Sequence, residues 1–74
     1  MRESDIIKEN ENGSFVFKDK RGFHVMLNSV THSVGDSSYT DESIALARLE
    51  YLGAKTSQNI RQMAFNIEQY NRGQ

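Results

Sequence analysis

Residues 13–52 read GSFVFKDKRGFHVMLNSVTHSVGDSSYTDESIALARLEYL, from Gly13 to Leu52, and the periodicity inside this stretch decides the fold. Phe15 and Phe17 alternate with Ser14, Val16 and Lys18, and Phe23, Val25 and Leu27 alternate with His24, Met26 and Asn28. That period of two is the mark of half-buried strands. Between the two runs, Lys20, Arg21 and Gly22 suit a three-residue hairpin loop with Gly22 left-handed. Asp19 is then opposite Phe23, Phe17 faces Val25 and Phe15 faces Leu27, so five apolar side chains share one face. A slip of one residue would split them between the two faces. Asn28-Ser29 is expected to make the next turn, pairing Leu27 with Val30, Val25 with His32 and Phe23 with Val34, which adds Val30 and Val34 to that face.

Gly35-Asp36-Ser37-Ser38 has the composition of a loop. Thr40 reads as a helix N-cap, Asp41 and Glu42 suit the positive end of the helix dipole, and Tyr39 with Ile44 has the spacing of a hydrophobic staple. Ile44, Ala45, Leu49 and Leu52 form a stripe wide enough for contacts on two sides, with Leu46 outside it. Gly53 is placed to end the helix in a left-handed cap. A second helix, capped by Thr56 or Ser57, carries Ile60, Met63, Ala64 and Ile67 on one face, which Tyr70 extends. It is expected to lie antiparallel to the first helix or on the sheet beside it. Phe65 falls about 140° around from Ile60, among Arg61, Glu68 and Arg72 on the water side. Asn71 to Gln74 are expected to fray.

Ahead of the central stretch, Met1 to Gly13 is polar apart from Ile6 and Ile7. Residues 1–12 are read as an N-terminal segment, frayed or helical, or as an edge strand over Asp5 to Glu9 that the Asn12-Gly13 dipeptide turns back toward Phe15. Residues 13–74 make a single domain. The fold class is α+β: a three-stranded antiparallel meander with a possible N-terminal edge strand, packed by two C-terminal helices.

Seventy-four residues leave no room for a second core. So small a core implies modest stability or support from dimerisation. Without cysteine there are no disulfides and no thiolate metal ligands, and the default compartment is the cytosol. No apolar run is long enough to span a bilayer, and the N-terminus lacks the pattern of a signal peptide, so no membrane partner is expected. Nine Lys and Arg against ten Asp and Glu give no global field to gather polyanions, although a local patch would suffice.

His24 and His32, the two histidines, fall on opposite faces in the expected register and cannot share a metal. No histidine is placed by sequence to activate a serine of the DSSYTDES run. The five glycines are isolated and form no phosphate loop, so no cofactor is expected. Nothing marks a nucleophile, base and orienting group that converge, and the expectation is a non-enzyme. The second sheet face is expected to carry Ser14, Val16, Lys18, His24, Met26, Thr31 and Ser33, unless Ile6 and Ile7 cover it. Val16, Met26 and Phe65 are apolar side chains that a monomer does not obviously bury, and they are the expected protein-binding anchors.

The strand, strand, strand, helix order of residues 13–52, with RGFHVMLNSVTHSV, Tyr39-Thr40-Asp41-Glu42-Ser43 and Ala45-x-Ala47, resembles two families of DNA-binding domain. These are the ethylene-response-factor type of plants and the arm-site-binding domain of phage integrases, in which a three-stranded sheet enters the major groove. The resemblance implies DNA contacts from Lys18, Lys20, Arg21, His24, Met26 and Thr31. Those families place arginines and tryptophans on the exposed sheet face, where this chain has one lysine and neither of the others. Two functional readings follow. One is a small protein-binding regulator or inhibitor in the style of phages and other mobile elements, its partner another protein or a second copy. The other is a DNA-binding module built on the exposed sheet face and the Lys20-Arg21 turn.

Overall fold

The computed structural model describes residues 5–72; Met1 to Ser4 of the N-terminal segment, and Gly73 and Gln74 of the expected frayed end, lie outside them. Four antiparallel strands follow one another as a meander: β1 (Ile6–Glu9), β2 (Phe15–Asp19), β3 (Gly22–Asn28) and β4 (Ser33–Tyr39). Two helices follow, α1 (Glu42–Gly53) and α2 (Ser57–Arg72), and both lie on one side of the sheet, α1 chiefly over β3 with β2 and β4 to either side and α2 over β3 and β4. The class is α+β, with four strands rather than three. Ile6 and Ile7 belong to the added edge strand, so they extend the sheet and do not lie across it.

The slip that would divide the apolar residues is present. Asp19 pairs with Gly22 and Lys18 with Phe23, so Lys20 and Arg21 alone make the turn, and Val16 faces Val25. Gly22 sits at φ +135°, where a side chain would be strained, and a Cβ there would come within 2.4 Å of the Tyr39 carbonyl oxygen. Val16, Val25 and Leu27 therefore point toward the helices and join Ala45, Leu49, Leu52, Ile60 and Ala64 in the core. Phe15 and Phe17 turn to the other side. The physical reason lies one residue upstream: Ser14 enters the core side of β2 fully buried, because Asn10 and Asn12 meet its hydroxyl.

The β3–β4 connection is also longer than the sequence implies. Residues 29–32 form a four-residue loop closed by the Ser29 N–H donating to the His32 carbonyl at 2.7 Å. Val30 is consequently 83% exposed instead of lying in the core. Val34 does pack on the core, from opposite Leu27 and not Phe23. Gly35 to Ser38, loop-like in composition, are strand residues; a bulge at Asp36 breaks the register between Met26 and Val25. The inserted Asp36 reaches α1, where Arg48 donates from Nε and Nη2 to its two carboxylate oxygens at 2.8 and 2.9 Å.

The helix boundaries shift by one residue for similar local reasons. Asp41, not Thr40, caps α1, accepting from the Ser43 N–H at 2.9 Å. Tyr39 ends β4 against the core and Ile44 faces solvent, so the expected staple is not made. Gly53 is the last helical residue and no left-handed cap; Ala54 follows in right-handed conformation. Carbonyls at and just beyond this helix end accept from the β1–β2 turn, Leu52 O in addition to the Lys55 N–H it already takes. Asn12 Nδ2 donates to Leu52 O at 2.7 Å and Lys55 O at 2.9 Å, and Asn10 Nδ2 donates to Leu49 O at 2.8 Å. Of the two expected caps it is Thr56 that opens α2, its hydroxyl accepting from the Asn59 N–H at 3.0 Å. Ile60 and Ala64 are buried, Met63 and Ile67 pack on the core, Tyr70 stays outside it, and Asn71 and Arg72 remain helical. No helix of the described residues is long and apolar enough to cross a membrane.

Candidate interaction face on the open side of the sheet

The strand register places two rows of side chains on the face turned away from the helices. Ile6, Phe17, His24 and Ser38 form one row, and Glu9, Phe15, Met26 and Gly35 form the other. Among the described residues no helix lies over them. Phe15 is nonetheless only 5% exposed, and Ile6, Phe17, His24 and Met26 are half-buried. The Phe17 and His24 rings stack with centroids 4.9 Å apart.

His24 links three strands across this face. Its Nε2 lies 2.7 Å from Asp19 Oδ1 on β2, and its Nδ1 lies 2.7 Å from Ser38 Oγ on β4. A carboxylate only accepts, so a neutral ring donates from Nε2–H and accepts the Ser38 hydroxyl's hydrogen bond at Nδ1. Asp19 also accepts the Arg21 N–H at 2.8 Å. The hydrogen bond from His24, and after it that from the Arg21 backbone, hold the Asp19 carboxyl below its ordinary value. The sequence did not bring Ser38 to a histidine, because it treated residues 35–38 as a loop; the strand pairing of His24 with Ser38 supplies the contact. The order Asp, His, Ser is that of activated serine nucleophiles. Ser38, however, stands exposed on an edge strand, and a polar concavity lined by Asn10, Glu11, Asn12, Gly53, Lys55, Thr56 and Ser57 lies elsewhere, at the α1–α2 joint. The trio fastens β2, β3 and β4 together across the open face.

Several expected site residues are elsewhere. Val16 is wholly buried beneath the helices and presents nothing to a partner, because the one-residue register shift turned it inward. Ser14 is buried as well, its hydroxyl met by Asn10 and Asn12. Lys18 follows Val16 to the helix side, with Nζ 5.5 Å over the Phe23 ring. Thr31 lies in the β3–β4 loop, and the seven residues of β3 separate it from Lys20 and Arg21 by roughly 20 Å. The residues suggested for DNA contact thus do not converge: His24 and Met26 share the open face, Lys20 and Arg21 mark one end of it, Lys18 is behind it and Thr31 is at the far end. His32 also leaves the sheet and pairs with Glu68 of α2.

Met26 and Phe65, both proposed anchors, lie on opposite sides of the molecule. Phe65 is 52% exposed on α2, as its position around the helix implies. The helix layer has a second exposed feature that the sequence did not single out. Ile44 and Tyr51, seven residues apart on α1, are about half exposed, and Arg48 and Lys55 lie 5.0 and 4.9 Å from the Tyr51 ring centre. Comparison of the chain with family models, with curated proteins and with solved structures finds no match.

Proposed function

We propose that this chain is a small non-enzymatic protein-binding domain, a regulator or inhibitor of the kind carried by phages and other mobile elements. It docks through the open face of its sheet. The observation that carries this reading is the row structure of that face: Ile6, Phe15, Phe17 and Met26 stand together on the side opposite both helices. Sheets of soluble domains commonly leave one face to water, but such a face is then polar. Among the described residues this one carries no Lys or Arg on its rows. A surface that grips phosphates needs such cations, which favours protein over nucleic acid as the partner. The cysteine-free composition suits a reducing, cytosolic compartment.

The test compares affinity-purified wild type with Phe17→Ser, Met26→Ser and Phe65→Ala, each checked for native circular dichroism. A partner lost with Phe17→Ser and Met26→Ser but kept with Phe65→Ala is the expected outcome. Loss with Phe65→Ala alone would move the seam to α2. Binding to a mixed-sequence duplex that falls steeply with salt, and is lost with Lys20→Glu and Arg21→Glu, would replace this reading with the nucleic-acid one.

A further inference from the structure

We infer that Asn12-Gly13 is a self-modification site, a one-way deamidation held off for as long as the β1–β2 turn stays seated on the end of α1. In asparagine followed by glycine the next backbone nitrogen attacks the side-chain amide most readily, because glycine has no Cβ to obstruct it. The chain and water alone balance the reaction. The Gly13 nitrogen bonds to Asn12 Cγ, the Cγ–Nδ2 bond breaks, and the proton lost from the Gly13 nitrogen leaves with Nδ2 as ammonia. Water then opens the cyclic imide at either carbonyl, which leaves aspartate or isoaspartate at position 12.

In the folded chain both reacting groups are engaged. The Gly13 N–H donates to Asn10 O at 3.1 Å. Asn12 Nδ2 donates to Leu52 O at 2.7 Å and Lys55 O at 2.9 Å, while its Oδ1 accepts from the Ser14 N–H at 3.1 Å and the Ser14 hydroxyl at 2.6 Å. An asparagine amide offers two hydrogens and an oxygen with two lone pairs, and Asn12 has committed all of them. Bringing Cγ onto the Gly13 nitrogen means rotating the side chain out of these bonds together. The turn must first lift from α1, and the reaction runs only in the fraction of molecules in which it has done so.

The product does not fit the place it came from. A carboxylate at position 12 has no hydrogen for the Leu52 and Lys55 carbonyls, and it adds negative charge where the α1 dipole is already negative. Isoaspartate also lengthens the backbone inside the turn that the Asn10 N–H closes on the Ser14 carbonyl at 2.8 Å. A molecule that reacts while its turn is open is thereby kept from reseating it, so the joint records past opening. The site lies beside the polar concavity at the α1–α2 joint, away from the open sheet face, and is independent of any partner held there.

Peptide-mapping mass spectrometry on the full chain, incubated at mildly alkaline pH in native buffer and in concentrated urea, tests this. The expected result is conversion at position 12 in urea and the same conversion at least about tenfold slower in native buffer. Asn10→Ala keeps the dipeptide but gives up the bond to the Leu49 carbonyl, and should speed the native reaction by about tenfold while leaving the urea rate unchanged. Gly13→Ala, compared in urea where its folded-state strain is absent, should slow conversion by crowding the attacking nitrogen. Wild type reacted in urea, separated by ion exchange and refolded, should melt below the unreacted chain. Equal rates in urea and native buffer overturn the proposal, and that comparison needs no variant, so it stands even where Asn10→Ala loosens the fold. Faster conversion in urea at another asparagine, such as Asn28 before Ser29, overturns the choice of site. A reacted chain that melts with the unreacted one overturns the one-way step.

Discussion

Arg48 and Asp36 show what single residues contribute beyond their type. Asp36 was loop material in the sequence, yet its carboxylate is only 6% exposed and forms a two-pronged pair with a guanidinium twelve residues on. The Arg48 hydrogen bonds hold the Asp36 carboxyl below its ordinary value, with desolvation opposing and the Ser37 hydroxyl assisting. Arg48→Met strands a covered carboxylate and should cost about 2–3 kcal/mol at pH 7, below the range for fully buried pairs because Arg48 is a third exposed. Asp36→Ala should cost less, since the freed guanidinium can turn to water. A carboxyl whose folded pKa is lowered stabilises above its unfolded value of about 3.9, and that contribution fades as the pH falls through the lower folded value. Urea denaturation at pH 7 and pH 3 should therefore show the wild-type advantage over Arg48→Met shrinking in acid. None of this was legible beforehand, because a bulge leaves no trace in apolar periodicity.

At the scale of elements, the turn between β1 and β2 does more than reverse the chain. Asn12-Gly13 is legible as a hairpin dipeptide, and Gly13 does take positive φ, at +95°. What the spacing could not convey is that Asn10 and Asn12 reach residues 39 to 43 positions away to close the end of α1. Gly53, read as a left-handed cap, serves here by leaving room: a Cβ on it would approach Asn10 Nδ2 to 3.1 Å. Asn12→Ala removes the donor to the Leu52 and Lys55 carbonyls and the acceptor for Ser14. The expected loss is about 1–3 kcal/mol, with the melting temperature falling by about 4–8 °C per kcal/mol. Asn12→Asp should be at least as damaging, since a carboxylate cannot donate to those carbonyls. Thermal unfolding followed by circular dichroism checks both.

For the whole molecule, the decisive fact is which side of β2 the helices cover. Val16→Ser removes apolar volume from the core and buries a hydroxyl, so it should cost about 2–4 kcal/mol, while Phe17→Ser, on the open face, should cost less than half of that. Guanidinium denaturation of the two variants decides the register, for the pairing expected from sequence reverses the ranking. By itself the sequence determined that there are strands followed by two helices, that β3 turns Phe23, Val25 and Leu27 toward the core, that α2 opens at Thr56 or Ser57 and that Phe65 faces water. Those features are local: periodicity, cap chemistry and angle around a helix depend on neighbours within a few residues. Only the tertiary structure decided the strand partners, the fourth strand, the strand nature of residues 35–38 and the composition of the open face. A hairpin register is chosen by what fits beneath the helices as much as by its turn. Here a buried Ser14, satisfied by two distant asparagines, let a serine and a valine take the inner positions and sent two phenylalanines outward.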